Sequence, residues 1–261
     1  MDRILEAAQV IAAARRAKER LGPLAPELAP KDEAEGYEVQ RALRDLLLPQ
    51  VGSLVGYKIG CTSNVMQQYL NIPHPCAGSV FERGVHRSGV KLPTSDFVHV
   101  GVECEIAVKL ARDLAPGEGP FTAAWVAQAI EAYWPAIEIV DDRYVQWETL
   151  GAPTLVADDF LAEACVLGAA VPRRQEPDVR EVAGRALING AEVGTGTGAD
   201  VLGHPHNALA WLANHLASEG KGLHKGQLVL TGSLVKTVWL KPGDRVVMEL
   251  GGLGKVEAEF T

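Results

Sequence analysis

The 261-residue chain is 47% hydrophobic and 22% charged, with a formal net charge of -8. That length suits one large domain, or one domain with a small appendage, and can bury a substantial core. The acidic balance argues against a nucleic-acid or anionic-membrane surface, since both reward clustered Lys and Arg, and no apolar run approaches the ~20 residues that span a bilayer.

Residues 3–20 read as an amphipathic helix, with Leu5, Ala8, Ile11 and Ala12 set apart from the Arg15–Arg16 pair. Early acidic residues and the lack of a cleavage site distinguish this stretch from a signal peptide. GPLAPELAPKD (22–32) is a Pro-rich loop, and Asp32 is placed to cap a second helix reaching about Leu48. Residues 1–50 therefore form a helical N-terminal section, an appendage or a dimer arm, and residues 51–261 the main domain. In the latter, short β-rich runs alternate with Gly, Pro and Asp clusters. FTAAWVAQAIEAYW (121–134) repeats apolar residues at helical spacing and stops at Pro135, which predicts a helix. HPHNALAWLANHLASEG (204–220) predicts another, with Pro205 in its first turn and Gly220 closing it. The tail returns to strands around the KPGD turn (241–244). GTGTG (194–198) lacks the lysine of a P-loop and the spacing of a dinucleotide fingerprint, and reads as a strand-to-loop turn. The whole is an α+β chain dominated by β-structure. Its four cysteines show no C-x-x-C spacing and no disulfide framework, as expected of reduced thiols in a cytoplasmic protein.

Three places carry carboxylates or a lysine where the pattern wants apolar residues. In GVECEIAVKL (101–110), Glu103 and Glu105 lie two apart on a strand and so share a face. An exposed strand face would explain them, but Val102, Ile106, Ala107 and Val108 suggest burial. Cys104 between them points the other way, as a small core residue. Glu138 sits between Ile137 and Ile139 in PAIEIVDDR, where Asp141 and Asp142 could cap or turn the strand end. Three carboxylates on two strands make a hard-cation site suited to Mg²⁺ or Mn²⁺. No His/Cys spacing suggests zinc, and His204 and His206 fit helix capping better than ligation. Lys58, amid Tyr57 and Ile59, could act in acid–base chemistry, anchor a carboxylate, snorkel to solvent or make a structural ion pair.

The order GYKIGCTSNVMQ, VECEIAVKLARDL, PAIEIVDDR, ADD, GTGADVLGHPHNALAWLANHLASEG, QLVLTGSL, KPGD, GLGKVEAEF resembles the 2-keto-4-pentenoate hydratase/4-oxalocrotonate decarboxylase group of the fumarylacetoacetate hydrolase superfamily over nearly the whole chain. The resemblance implies an α+β fold: a β-rich mixed-sheet roll or barrel with peripheral helices, assembled as a homo-oligomer. It implies a metal site at Glu103, Glu105 and Glu138 for Mg²⁺ or Mn²⁺, and catalytic roles for Lys58 and Asp158. Ser63, Arg83, Phe160, Thr231 and Lys236 would contact substrate. The implied activity is hydration of a 2-hydroxy-2,4-dienoate to a 4-hydroxy-2-oxo acid. The alternatives are decarboxylation of a vinylogous 2-oxo diacid and a non-catalytic subunit associated with a pathway partner enzyme. Hydrolysis of an acylpyruvate would need a His/Glu pair, for which His74 and Glu82 are candidates. The sequence departs from the group's pattern in four places. ADDFL (157–161) stands for ADNAS, Glu82–Arg83 for Ala-Asp, Val235–Lys236 for Gly-Pro, and Cys61 for leucine. Arg83 and Lys236 would then grip a second carboxylate or sit on the rim.

Overall fold

The computed structural model describes residues 2–261. Six helices are present among them: α1 (Arg3–Ala17), α2 (Glu33–Val51), α3 (Asn64–Leu70), α4 (Ala123–Ala127), α5 (Gly151–Ala157) and α6 (Pro205–Ser218). The strands are β1 (Leu54–Gly60), β2 (Cys76–Phe81), β3 (Val85–Arg87), β4 (Val90–Leu92), β5 (Val100–Leu110), β6 (Ile130–Asp141) and β7 (Ala162–Leu167). They continue with β8 (Val171–Pro172), β9 (Ala183–Ile188), β10 (Ala191–Thr197), β11 (Leu228–Ser233), β12 (Val238–Trp239), β13 (Arg245–Leu250) and β14 (Gly254–Phe260). They make two mixed sheets and no closed barrel. One runs β2-β1-β11-β5-β6-β7-β3, with β12 on β5 and β8 on β6; the other runs β10-β9-β13-β14-β4. The main core joins them, with Ile106 and Ile137 from the first sheet and Met248 and Val256 from the second in one buried cluster.

Local chemistry explains most boundaries. Asp32 caps α2 by accepting from Glu35 N at 2.9 Å. His204 caps α6, its Nδ1 accepting from His206 N at 2.9 Å, and Pro205 occupies the first helical position. The stretch 121–134 is where the helical expectation fails. Helix α4 covers only Ala123–Ala127, and from Ile130 the chain is strand through Pro135 to Asp141. Pairing decides this. β6 runs antiparallel to β5 from Val100↔Asp141 to Leu110↔Ile130, and that long ladder outweighs helix periodicity. Pro135 costs little because it falls between the β8 partner at Tyr133 and the β7 partner at Ala136, where a missing N–H is tolerated.

Helices α1 and α2 share a small core of Ala8, Ile11, Val39 and Leu43 with Ala157 of α5. They are keyed into the sheet by polar contacts. Gln40 Nε2 donates to Ala77 O at 2.8 Å and Val156 O at 3.0 Å, and Tyr37 Oη accepts from Ala77 N at 3.0 Å. Among the described residues, no helix is long and apolar enough to cross a membrane.

Candidate metal centre

Strand β5 is buried on both faces. Cys104, Ile106 and Val108 face the main core, whereas Ala107 belongs to a smaller cluster on the side that carries Glu103 and Glu105. Glu138 of β6 lies directly opposite Glu103 in the ladder, so all three carboxylates project from one face. One ligand atom from each lies within 4.8 Å of the others. Lys58 reaches the same point from β1, its Nζ 2.7 Å from Glu138 Oε1, with both side chains buried.

The partners are few. Glu105 Oε2 accepts from Gly232 N at 2.9 Å, and Glu103 Oε1 accepts a short hydrogen bond from Thr237 Oγ1. Gly232 needs to be glycine: its φ is +120° and a Cβ would sit 2.1 Å from Thr62 Oγ1. Apart from the Lys58 contact, neither Glu138 oxygen has a hydrogen-bond partner, and Glu105 Oε1 has none. Buried carboxylate oxygens without partners are costly. Burial, then the Glu138 charge, raises Glu103 to about 7 and drives Glu105 well above the carboxylate range. Burial alone would lower Lys58, but Glu138 and then Glu103 outweigh it and hold its pKa above the usual value. When all ionise, three carboxylates against one ammonium leave two negative charges in a dry pocket. The donor set is oxygen only, and unpartnered oxygens converge. A divalent hard cation fits both the charge and the donors.

Above the carboxylates opens a cavity of about 480 Å³ whose lining includes Ser63, Glu103, Trp147, Lys236, Thr237 and Trp239. A narrow recess lined by Lys58, Glu103, Phe160 and Thr237 adjoins it. Ser63 also caps α3, its Oγ accepting from Met66 N at 3.2 Å, and the Phe160 ring centroid lies 5.3 Å from Lys58 Nζ.

Three sequence candidates are not brought here. Asp158 is fully buried, with Oδ1 2.5 Å from Arg15 Nε and Oδ2 3.0 Å from Arg143 Nε. Both oxygens contact arginines, so it joins α1 to the loop after β6, and it lines neither the cavity nor its adjoining recess. Its neighbour Asp159 comes closer to the lysine strand. A Cβ at Gly78, which pairs with Lys58, would sit 2.4 Å from Asp159 O and 3.1 Å from Lys58 Cγ. Thr231 is buried and donates to Ile106 O at 2.8 Å, which makes it a sheet clamp. Arg83 donates to Gln50 O at 2.7 Å, tying the 3-10 turn at residues 82–84 to the end of α2. His74 and Glu82 do not meet: His74 contacts Glu33, and Glu82 Oε2 lies 3.5 Å from Ser53 N. Sequence reasoning missed Thr237, Arg15 and Arg143. The first is an ordinary loop threonine, and the two arginines lie in sequence far from the aspartate they share or beside other charges.

The fumarylacetoacetate (FAA) hydrolase C-terminal family model matches residues 81–261. The chain belongs to the fumarylacetoacetate hydrolase family. It is 34% identical over 255 residues to the 2-keto-4-pentenoate hydratase of Paraburkholderia xenovorans, covering 98% of this chain and 94% of that one. The 2-oxo-hept-4-ene-1,7-dioate hydratase of Escherichia coli is 32% identical over 90% of this chain and 88% of its own length. Among solved structures, the 4-oxalocrotonate decarboxylase of Pseudomonas putida, complexed with magnesium and adipate, superposes with a TM-score of 0.92 at 28% identity. That match covers 99% of this chain and 97% of that one.

Proposed function

We propose that the chain is a divalent-metal-dependent hydro-lyase that adds water to a 2-hydroxy-2,4-dienoate, giving a 4-hydroxy-2-oxo acid. The observation that carries this is the convergence of Glu103, Glu105, Glu138 and Lys58 beside a cavity large enough for a small acid, which Glu103 lines and whose adjoining recess Lys58 lines. Full-length similarity to named hydratases supports the reaction class. Glu103, Glu105 and Glu138 would hold the ion, with Mg²⁺ first and Mn²⁺ second. When bound, it supplies electrophilic stabilisation of the charge that develops at C2 of a 2-oxo acid. Lys58 stands beside the cluster with its proton held by the surrounding carboxylates. It therefore orients the substrate carboxylate or returns a proton to the carbon skeleton during ketonisation. Phe160, Trp147 and Trp239 exclude bulk water from the recess, and Ser63 offers a hydroxyl at the cavity wall.

Lys236 favours a second reading, decarboxylation of a diacid. It lines the cavity, and among the described residues no carboxylate forms an ion pair with it. A homo-oligomer in the cytoplasm, associated with a neighbouring pathway enzyme, completes the proposal. The test is loss of dienol absorbance with Mg²⁺ present, measured on monoacid and diacid substrates, alongside CO₂ release. Hydration without CO₂ release supports the first reading, and CO₂ release from a diacid the second. No turnover of any substrate in either assay would sink both.

A further inference from the structure

Outside the glutamate cluster, one other group of side chains among the described residues converges as metal ligands do: Glu33, His74 and Cys76, with one donor atom from each within 4.8 Å of the others. We infer that these three form a second metal site, for Zn²⁺ or a similar borderline transition ion, with water in the fourth position. Glu33 is the first residue of α2, His74 lies in the loop after α3, and Cys76 begins β2.

The histidine is already arranged as a ligand. Its Nδ1 lies 3.0 Å from the carbonyl oxygen of Pro75, which can only accept, so Nδ1 carries a hydrogen. In the neutral ring Nε2 is then a bare lone pair. It faces Glu33 Oε2 at 3.1 Å, so two acceptors meet unless a proton or a cation lies between them. A backbone carbonyl that fixes the tautomer and frees the other nitrogen is the arrangement expected around metal-bound imidazole.

The distances allow closure. Tetrahedral zinc with bonds of about 2.0–2.3 Å puts neighbouring donors roughly 3.3–3.7 Å apart. The histidine–glutamate pair needs almost no movement, and one donor of each already lies within 4.8 Å of the buried sulfur. Their side chains are 42% and 29% exposed, which leaves a route for the ion, while Cys76 is fully buried. The Cys76 thiol is pushed up by contact with the Cys61 thiol and then by burial, so ion binding must expel its proton. Uptake should therefore strengthen as pH rises.

The donor chemistry separates the two sites. Three carboxylates suit a hard ion, whereas nitrogen, sulfur and a single carboxylate suit zinc. The consequence is mechanical. Cys76 pairs with Gly60 of β1, and two residues on, Gly78 pairs with Lys58. An ion at this site would staple the start of α2 to the strand beside the lysine.

The test uses the full chain, stripped of metal and then supplied with excess Mg²⁺ to occupy the glutamate centre, and follows a Co²⁺ titration optically. One equivalent should give a near-ultraviolet thiolate-to-cobalt charge-transfer band, removed by added Zn²⁺. Cys76→Ser should abolish the band. His74→Ala, a change at a partly exposed position, should weaken cobalt binding by about tenfold or more. Retained Mg²⁺ binding and circular dichroism show that each variant is folded. A wild-type chain with no such band at stoichiometric cobalt overturns the site. So does a band that survives Cys76→Ser, or cobalt affinity unchanged in His74→Ala. The readout is independent of turnover, so its failure leaves the proposed reaction standing.

Discussion

Lys58→Met leaves an unbranched side chain one atom shorter and removes the charge from a pocket where, among the described residues, no other cation forms an ion pair with the three glutamates. In the metal-free wild type, the ammonium is 2.7 Å from Glu138 Oε1, both side chains being at most 3% exposed. Removing one partner of a buried pair costs roughly 3–5 kcal/mol, because the remaining charge stays buried without compensation. At roughly 2–4 °C per kcal/mol for a chain of this size, melting should fall by about 6–20 °C in the presence of a chelator. The charge count then makes a second, opposite prediction. With all groups ionised, the variant cluster carries three negative charges where the wild type carries two, so a divalent ion relieves more repulsion in the variant. Saturating Mg²⁺ should therefore narrow the gap between the two melting temperatures, while turnover of a 2-hydroxydienoate stays abolished in the variant. Thermal unfolding of both proteins, with chelator and with Mg²⁺, reads each quantity. Equal melting temperatures without metal would refute the buried-pair argument. A gap of the same size with and without Mg²⁺ would refute the charge argument.

Glu105→Gln should reduce Mg²⁺ affinity by at least about tenfold and remove most of the metal-dependent rise in melting temperature, measurable by calorimetric titration. Metal uptake by the wild type should strengthen as pH rises through about 7. Glu103 sits at about 7 in the metal-free chain and must lose its proton to serve as a ligand. Titration in buffers of different ionisation enthalpy should show proton release, and pH-independent affinity across neutrality would contradict it. His206 gives a stability effect of the opposite origin. Burial, then His204, lowers it from 6.5 to about 4, so the unfolded chain takes up a proton in that window and the native chain does not. This contribution is complete above 6.5 and is lost as pH falls toward 4, up to about 3 kcal/mol. The pH dependence of denaturation in His206→Gln should lack that component. Arg143→Met should destabilise the chain by about 3–5 kcal/mol by leaving Asp158 underpaired, with Mg²⁺ affinity nearly unchanged.

The candidate metal centre was legible because carboxylates break an apolar strand pattern, and period-two geometry alone places Glu103 and Glu105 on one face. Their opposition to Glu138 depends on β5–β6 register, which no local signal encodes. The helical pattern of 121–134 misled because Ala, Val and Ile at that spacing also fill a strand buried on both faces, and long-range pairing settled the matter. Helices α3 and α5 are seven residues each, too short for periodicity to show. Asp158 was expected to be catalytic only because ADD (157–159) matches the ADN motif of the group the sequence resembles. Only the approach of Arg15, 143 residues away in sequence, reveals an ion-pair hub. Arg83 and Thr231 lie close in sequence to site strands, but their hydrogen bonds turn them toward the backbone.

The family match begins at residue 81, one strand after the lysine that balances the glutamates. β1 lies between β2 and β11, and α1 supplies Arg15 to Asp158. A fragment trimmed to the shared segment would bare the edge of β11 to pairing with other chains and leave Asp158 short of a counter-ion. It would also keep all three glutamates without their ammonium. The segment that the family model matches is thus poorly able to stand alone, and expression boundaries for it belong upstream of α1.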